Sequence, residues 1–453
     1  MPSPVIIPKK QMPTPSRRIF SGEAKKVILR ELFILLFLYA VGLGVLFLIV
    51  LLKRNSAFNF FDNPFLYGYT FFVTIFRISR IWAALFYEKA DKKLLEPYAQ
   101  MHYEPAISFV IPCKNEEAAI EKTVTKCFEA RYPPEKVEVI VVNDGSTDST
   151  GAILGKLQFR FPNLTVVSWE QNRGKRHGMA EGFRRARGEV VVQLDSDSYI
   201  EPGTIQKLVD YFKNPQVGAV CAHTYVENAD QNILTRMQTA HYFVAFRVLK
   251  AAESAFSLIF CCSGCSSAYR KSVVLPVIDE WLNESFLGVP ANWGDDRALT
   301  NRVIRQGYKS VYTDKAWSFT IVPDTWKKFV KQQIRWKKGW FVNSLFAGKF
   351  IMKRDSFVAV TYFFPLFLTH FLSPFIAVKV FMVDALIFGV SPLYYIIGAS
   401  SVIIFFIIFY KILRPEDKYW PYLIPWALLN ALFLSYVLFW ALATIRNRGW
   451  GTR

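Results

Sequence analysis

Val190-Val191-Val192-Gln193-Leu194-Asp195-Ser196-Asp197 runs from an apolar strand straight into two carboxylates one residue apart. A run rich in valine marks a strand buried on both faces, the habit of parallel sheets. The strand reads as fully apolar, so the carboxylates emerge at its end. Asp195 and Asp197 cannot both be buried there unpaired. A divalent cation bridging them to a diphosphate resolves the conflict. Hard oxygen ligands suit Mn²⁺ or Mg²⁺, which keep coordination positions open for phosphate oxygens.

Outward from this strand the pattern repeats. Strands are expected at Ile107–Ile111, Val137–Val142, Leu164–Ser168, Glu189–Leu194 and Gly218–Ala222. Helical stretches Glu116–Glu129, Thr147–Arg160, Gly174–Arg187 and Thr204–Phe212 lie between them. Such βαβα alternation implies an α/β domain with a parallel-rich sheet and helices on both faces. Ligands then sit beyond the carboxyl ends of the strands.

Further out, the chain turns apolar at both ends. Leu32–Leu52 is uncharged and of membrane-spanning length. Pro64–Tyr87 reads as a second span, with Arg77 and Arg80 snorkelling at its cytosolic end. Spans are also expected at Val358–Leu372, Ser373–Val390, Leu393–Tyr410 and Tyr422–Thr444, the first two broken near Pro374. The expected organisation is a basic cytosolic tail (1–28), two transmembrane helices (29–88) and a cytosolic catalytic domain (101–325). Amphipathic interface helices (326–356), about four transmembrane helices (357–445) and a gating tail (446–453) complete it. An even number of spans puts both termini and the catalytic domain on one side, and the basic tail makes that side the cytosol.

Composition agrees. Of 453 residues, 52% are hydrophobic, and the excess sits in the two terminal blocks. The net charge of +19 clusters beside them, at Arg17, Arg18, Lys25, Lys26 and Arg30, and at Lys327, Lys328, Lys331, Lys337 and Lys338. That is a juxtamembrane pattern facing anionic lipid. No nucleic-acid-binding module is visible, so nucleic acid is not an expected partner. The six cysteines form no partnered zinc-type pairs and read as reduced cytosolic thiols. The five histidines are scattered and read as structural.

Four further motifs carry chemistry. Asn143-Asp144-Gly145-Ser146-Thr147-Asp148 ends a strand and opens a helix, where Asp144 can accept hydrogen bonds from a nucleobase or ribose. Gly294-Asp295-Asp296-Arg297 offers a carboxylate base: inverting glycosyl transfer requires one to take the proton of the attacking hydroxyl. Asp296 is the candidate, with Asp295 beside it; Trp293 offers a face for a sugar ring, and Arg297 is expected to bind substrate. Lys331-Gln332-Gln333-Ile334-Arg335-Trp336 puts Gln332, Arg335 and Trp336 on one helix face. They supply an amide, a phosphate-binding guanidinium and an indole platform. The terminal Arg448-Gly449-Trp450-Gly451-Thr452-Arg453 has the composition of a lid, with Trp450 and Arg453 as its contacts. Lys175 and Arg176, at a helix start, suit phosphates, and Cys262-Ser263-Gly264 is a smaller substrate-binding signal.

In this order the motifs resemble family 2 inverting glycosyltransferases, and more closely hyaluronan synthases. The residues carrying the resemblance are Asn172–Arg176, Asp195–Asp197, Cys262–Gly264, Tyr269–Arg270, Trp281–Gly288, Gly294–Arg297 with Thr300–Arg302, Gln332–Trp336 and Trp450–Arg453. Chitooligosaccharide synthases share much of this set. The resemblance implies an A-type nucleotide-diphospho-sugar transferase fold (GT-A) inserted between transmembrane helices of a multi-pass plasma-membrane protein. It implies UDP-sugar donors, UDP-N-acetylglucosamine and UDP-glucuronate among them, and a growing polysaccharide secreted through the protein's own spans. By the same resemblance Asp144 contacts uracil and Lys175 lies near the nucleotide. Asp195 and Asp197 hold the metal, Asp296 is the base, Gln332, Arg335 and Trp336 meet acceptor and pyrophosphate, and Trp450 and Arg453 gate the site. Hyaluronan synthases usually read Ser-Gly-Pro after the cysteine, whereas this chain has Ser263-Gly264-Cys265. The alternatives are a chitin-like or poly-N-acetylglucosamine synthase, a polyprenyl-phosphate glycosyltransferase, and a membrane scaffold with an inactive nucleotide-binding domain.

Overall fold

A computed structural model describes residues 64–389 and 392–447. The expected tail 1–28, the first span and the gating residues Trp450 and Arg453 lie outside the described residues.

The strands are β1 (Ile107–Cys113), β2 (Val137–Asp144), β3 (Leu164–Trp169), β4 (Val190–Gln193), β5 (Ser198–Ile200), β6 (Val217–Val226), β7 (Ser267–Arg270), β8 (Ser285–Phe286), β9 (Val289–Pro290) and β10 (Lys309–Thr320). Eight form one sheet in the order β3-β2-β1-β4-β7-β6-β10-β5, while β8 and β9 form a separate hairpin. The stretch β3-β2-β1-β4 is parallel, as the alternation predicts. Beyond β4 the sheet becomes mixed, as a parallel-rich sheet allows: β6 and β10 pair in parallel. β7 runs antiparallel to β4 and β6, and β5 antiparallel to β10. These added strands are short or irregular, so their periodicity is too weak to declare them in advance.

Every residue of β1 and β2 is buried. Val110, Ile140 and Val142 enter one apolar cluster, and Phe109, Ile111, Val139 and Val141 enter the other. Two covered faces are what make those strands read as continuous rather than alternating.

Among the described residues one helix, Ser356–Ile387, is long and apolar enough to cross a membrane, and up to three qualify if each bent helix pair counts as one span. The two spans expected at Val358–Leu372 and Ser373–Val390 are therefore a single 32-residue helix. Pro374 lies inside it without ending it. Neighbouring contacts support this stretch, and the Tyr69 hydroxyl donates to the Thr369 carbonyl at 3.1 Å.

The last apolar segment is bent by 41° between Trp420–Leu434 and Val437–Ala443. One end meets the catalytic domain and the other the helix Trp326–Gly348. Arg236 Nη1 donates to Tyr422 Oη at 3.1 Å, and Lys338 Nζ donates to the Thr444 carbonyl at 2.5 Å. Such a bend fits either a broken span or a re-entrant segment, and the described residues after the helix Trp326–Gly348 hold three apolar helical stretches: Ser356–Ile387, Leu393–Leu413 and this bent pair. Arg80 does not snorkel. It is buried, with its guanidinium 4.7 Å from the Phe76 ring and 4.8 Å from the Tyr362 ring.

Candidate active site

The parallel strands deliver their carboxyl ends to one edge. At the end of β2, Asp144 is buried and accepts from the Arg173 amide at 2.6 Å and the Gly174 amide at 2.8 Å. Its carboxylate therefore organises the turn that launches the helix Lys175–Arg185. Each oxygen keeps further lone-pair capacity for a ligand donor.

Lys175, the first residue of that helix, forms an ion pair with Asp195 at the end of β4. The Asp195 amide donates to the Gly264 carbonyl at 2.9 Å, and the Gly264 amide donates to Asp296 Oδ2 at 2.8 Å. The backbone of one residue thus stitches the paired-carboxylate motif to the candidate base. Gln193 Nε2 donates to Asp296 Oδ1 at 2.9 Å, so both oxygens of the base are held. Burial pushes the Asp296 carboxyl above its ordinary value; Asp195 and Asp295 push the same way, while Lys175 and Gln193 oppose.

The carboxylates suit a hard divalent cation completed by substrate. Asp195 and Asp197 flank one strand end, and Ser198 Oγ lies 3.4 Å from Asp197 Oδ1. Among the described residues no group of three or more His, Cys, Asp or Glu side chains makes a full cage. Mg²⁺-type ions are held in this way, by one or two carboxylates plus phosphate oxygens.

Several residues expected in the site are placed elsewhere. Arg176 turns inward, with Nε 2.8 Å from Asp295 Oδ1 and Nη1 3.0 Å from Glu284 Oε2. Both Arg176 and Asp295 are buried, so this pair supports the base helix Asp295–Arg305 rather than meeting phosphate or taking a proton. Trp293 is also buried, packed with Ala291, Val342 and Ile445, and offers no open face to a sugar. Cys262 is sealed in the core; its amide donates to Thr300 Oγ1 at 2.9 Å, and that hydroxyl donates to the Asp296 carbonyl at 2.6 Å. Ser263 is half-buried, 3.6 Å from Cys221 Sγ.

The helix Trp326–Gly348 closes the opposite wall. Gln332 and Arg335 are half-buried on it, and Trp336 is 40% exposed. Burial pushes the Tyr242 hydroxyl up; the charges of Cys265, Asp197 and Asp195 push the same way, and Arg335 opposes them. Arg297 is half-buried, and its charge reaches the Cys261 thiol. Gly294 has φ +68°, and its backbone packs directly on Gly339 of the wall helix. Asn343 Nδ2 donates to the Gly339 carbonyl at 2.9 Å and reaches the Trp293 carbonyl at 3.4 Å, tying base and wall together. Gln193, Tyr242, Glu284, Gly339 and Asn343 were not visible as site residues in the sequence. Gln193 is the single polar residue of its strand, a signal that reading the strand as fully apolar passes over.

A parallel-rich sheet with paired carboxylates at one strand end, and a third carboxylate, Asp296, tied to them, is an arrangement suited to glycosyl transfer. Residues 108–275 match Glycosyl transferase family 2. The chain is 32% identical over 371 residues to the hyaluronan synthase of Streptococcus pyogenes serotype M1, covering 80% of this chain and 86% of that one. It is 28% identical to an N-acetylglucosaminyltransferase of Azorhizobium caulinodans, over 77% of this chain and 87% of that one. A mannosyltransferase from Pyrobaculum calidifontis, solved with GDP-Man and Mn²⁺, shares the fold at TM-score 0.54 and 22% identity, covering 81% of this chain and 99% of that one. The chain belongs to the hyaluronan synthase-like branch of glycosyltransferase family 2, and it is a hexosyltransferase.

Proposed function

We propose that the protein is a membrane-embedded, inverting, processive synthase that polymerises UDP-sugars into hyaluronan or a related N-acetylglucosamine-containing polysaccharide. The observation that carries this reading is Gly264, whose backbone C=O and N–H join the Asp195 amide to the Asp296 carboxylate through two hydrogen bonds. Donor diphosphate and acceptor hydroxyl are thereby assigned to one pocket.

Asp144 and the turn it orders receive the uracil nucleotide. Lys175 moves from Asp195 onto the diphosphate, where its charge offsets that of the leaving group. A bound Mn²⁺ or Mg²⁺, held by Asp195 and Asp197, would supply further charge neutralisation at the diphosphate. Asp296 takes the proton of the acceptor hydroxyl as that oxygen attacks the anomeric carbon and UDP departs with inversion. Gln332, Arg335 and Trp336 seat the acceptor end, with Trp336 as the stacking surface. Ser263 and Arg297 complete the acceptor wall.

The membrane part is supported by the helix Ser356–Ile387 and by the apolar segments around it. The assignment of tail, catalytic domain and gating residues Trp450 and Arg453 to the cytosolic side belongs to the same proposal. Product translocation follows as the growing chain leaves the acceptor site between the spans. A second reading, a chitin-like synthase, is favoured by the N-acetylglucosaminyltransferase relative and by Cys265 after Gly264.

Purified protein incubated with UDP-N-acetylglucosamine and UDP-glucuronate, singly and together with Mn²⁺, separates these readings. Polymer formed only with both donors, and cut by hyaluronidase, is the expected result. Polymer from UDP-N-acetylglucosamine alone selects the chitin-like reading. A lipid-extractable monosaccharide product would replace both with a polyprenyl-phosphate glycosyltransferase.

A further inference from the structure

Gln193 occupies a central strand and is wholly buried. A buried amide flanked by apolar neighbours is costly unless its polar atoms are used. Its Nε2 donates to Asp296 Oδ1 at 2.9 Å, while its Oε1 finds no hydrogen-bond partner among the described residues. Chemistry fixes the amide's orientation: a carboxylate only accepts, so the nitrogen must face it. The fold thus leaves one amide atom unpaired and gives the other to the base.

The base is held from its other side as well. Gly264 donates its amide to Asp296 Oδ2 at 2.8 Å. A Cβ on Gly264 would lie 2.7 Å from Asp195 Oδ1 and 2.9 Å from Gln193 Nε2, so the loop is seated directly against both side chains. Two donors, one to each oxygen, remove rotation about the Asp296 Cβ–Cγ bond.

We propose that Gln193 is a positioning residue for glycosyl transfer. It fixes the plane of the Asp296 carboxylate, so that the lone pairs left free point at the acceptor hydroxyl. The inference rests on Asp296 being the base. Misaligning a proton acceptor slows the chemical step and leaves donor binding untouched.

The test is Gln193→Met in the full chain, which keeps the volume and removes the donor. The expected result is a fall in kcat for UDP release of between about tenfold and about a hundredfold. The donor KM and calorimetric UDP affinity stay unchanged, and the melting temperature is equal or higher. Full kcat in Gln193→Met overturns the proposal, and so does a lowered melting temperature with kcat intact. If Gln193→Met fails to fold, Gln193→Leu is judged by the same criteria. Asp296→Asn separates the two readings. If that variant keeps activity, the base assignment itself fails. If it is inactive while Gln193→Met is fully active, only the positioning role fails. The double variant is expected to be no slower than Asp296→Asn alone.

Discussion

Arg176 Nε lies 2.8 Å from Asp295 Oδ1, and both side chains are buried beneath the base helix. The same guanidinium reaches Glu284 and the Trp281 carbonyl, so one cation ties the helix Lys175–Arg185 to the segment before the β8–β9 hairpin. Removing one member of such a pair strands a buried charge. Arg176→Met or Asp295→Asn is expected to cost about 3–5 kcal/mol of stability, read as a lowered melting temperature. The double variant Arg176→Met/Asp295→Leu should recover most of it. If Arg176→Met melts normally but loses UDP affinity, Arg176 belongs to the phosphate site after all.

Asp296→Asn removes the proton acceptor while preserving the shape of the site. Transfer should fall by about 10²–10⁴-fold, the usual contribution of a positioned base. UDP binding, measured by calorimetry, should persist. Retained transfer would discard the base assignment.

The pH profile of kcat/KM should carry the signature of burial. The Asp296 carboxyl is raised mainly by burial, and the base acts only when ionised. Activity is therefore lost as pH falls through the raised value, and the acid limb lies above the ordinary carboxylate range. Lys175 opposes the rise, so Lys175→Met should move that limb to higher pH. A profile flat down to about pH 4.5 would contradict this placement.

Gly339 has no room for a side chain. A Cβ there would come within 2.8 Å of the backbone of Gly294. Gly339→Ala should push the wall helix from the base helix and cost about 1–3 kcal/mol. It should also lower kcat more than the donor KM changes, because base and acceptor wall move apart. Wild-type kinetics in Gly339→Ala would show that this contact is not needed for alignment.

Chelation of divalent cations should stop UDP release without unfolding the chain, since the sheet's two apolar faces form its core. Far-UV circular dichroism should be unchanged, and added Mn²⁺ or Mg²⁺ should restore turnover. Asp197→Asn should raise the metal concentration required. Full activity in excess chelator would remove the metal from the proposal.

The local pattern determined the strand–helix alternation, the emergence of Asp195 and Asp197 at a strand end and the apolar terminal blocks. Those features depend on near neighbours: burial on both faces makes β1, β2 and β4 continuous apolar runs. Contacts between distant segments decided the rest. Gln193 and Asp296 are 103 positions apart, and no periodicity links them. Arg176, Trp293 and Cys262 carry the chemistry of a binding site, yet packing turns them into the interior, because a side chain's direction is set by what its element packs against. Pro374 looks like a break between two spans, but the surrounding helices keep one helix continuous through it. Residue type alone therefore marked Asp195, Asp197 and Asp296 as candidates. Only the fold decided that Gly264 bonds to both Asp195 and Asp296 and that Gln193 donates to Asp296.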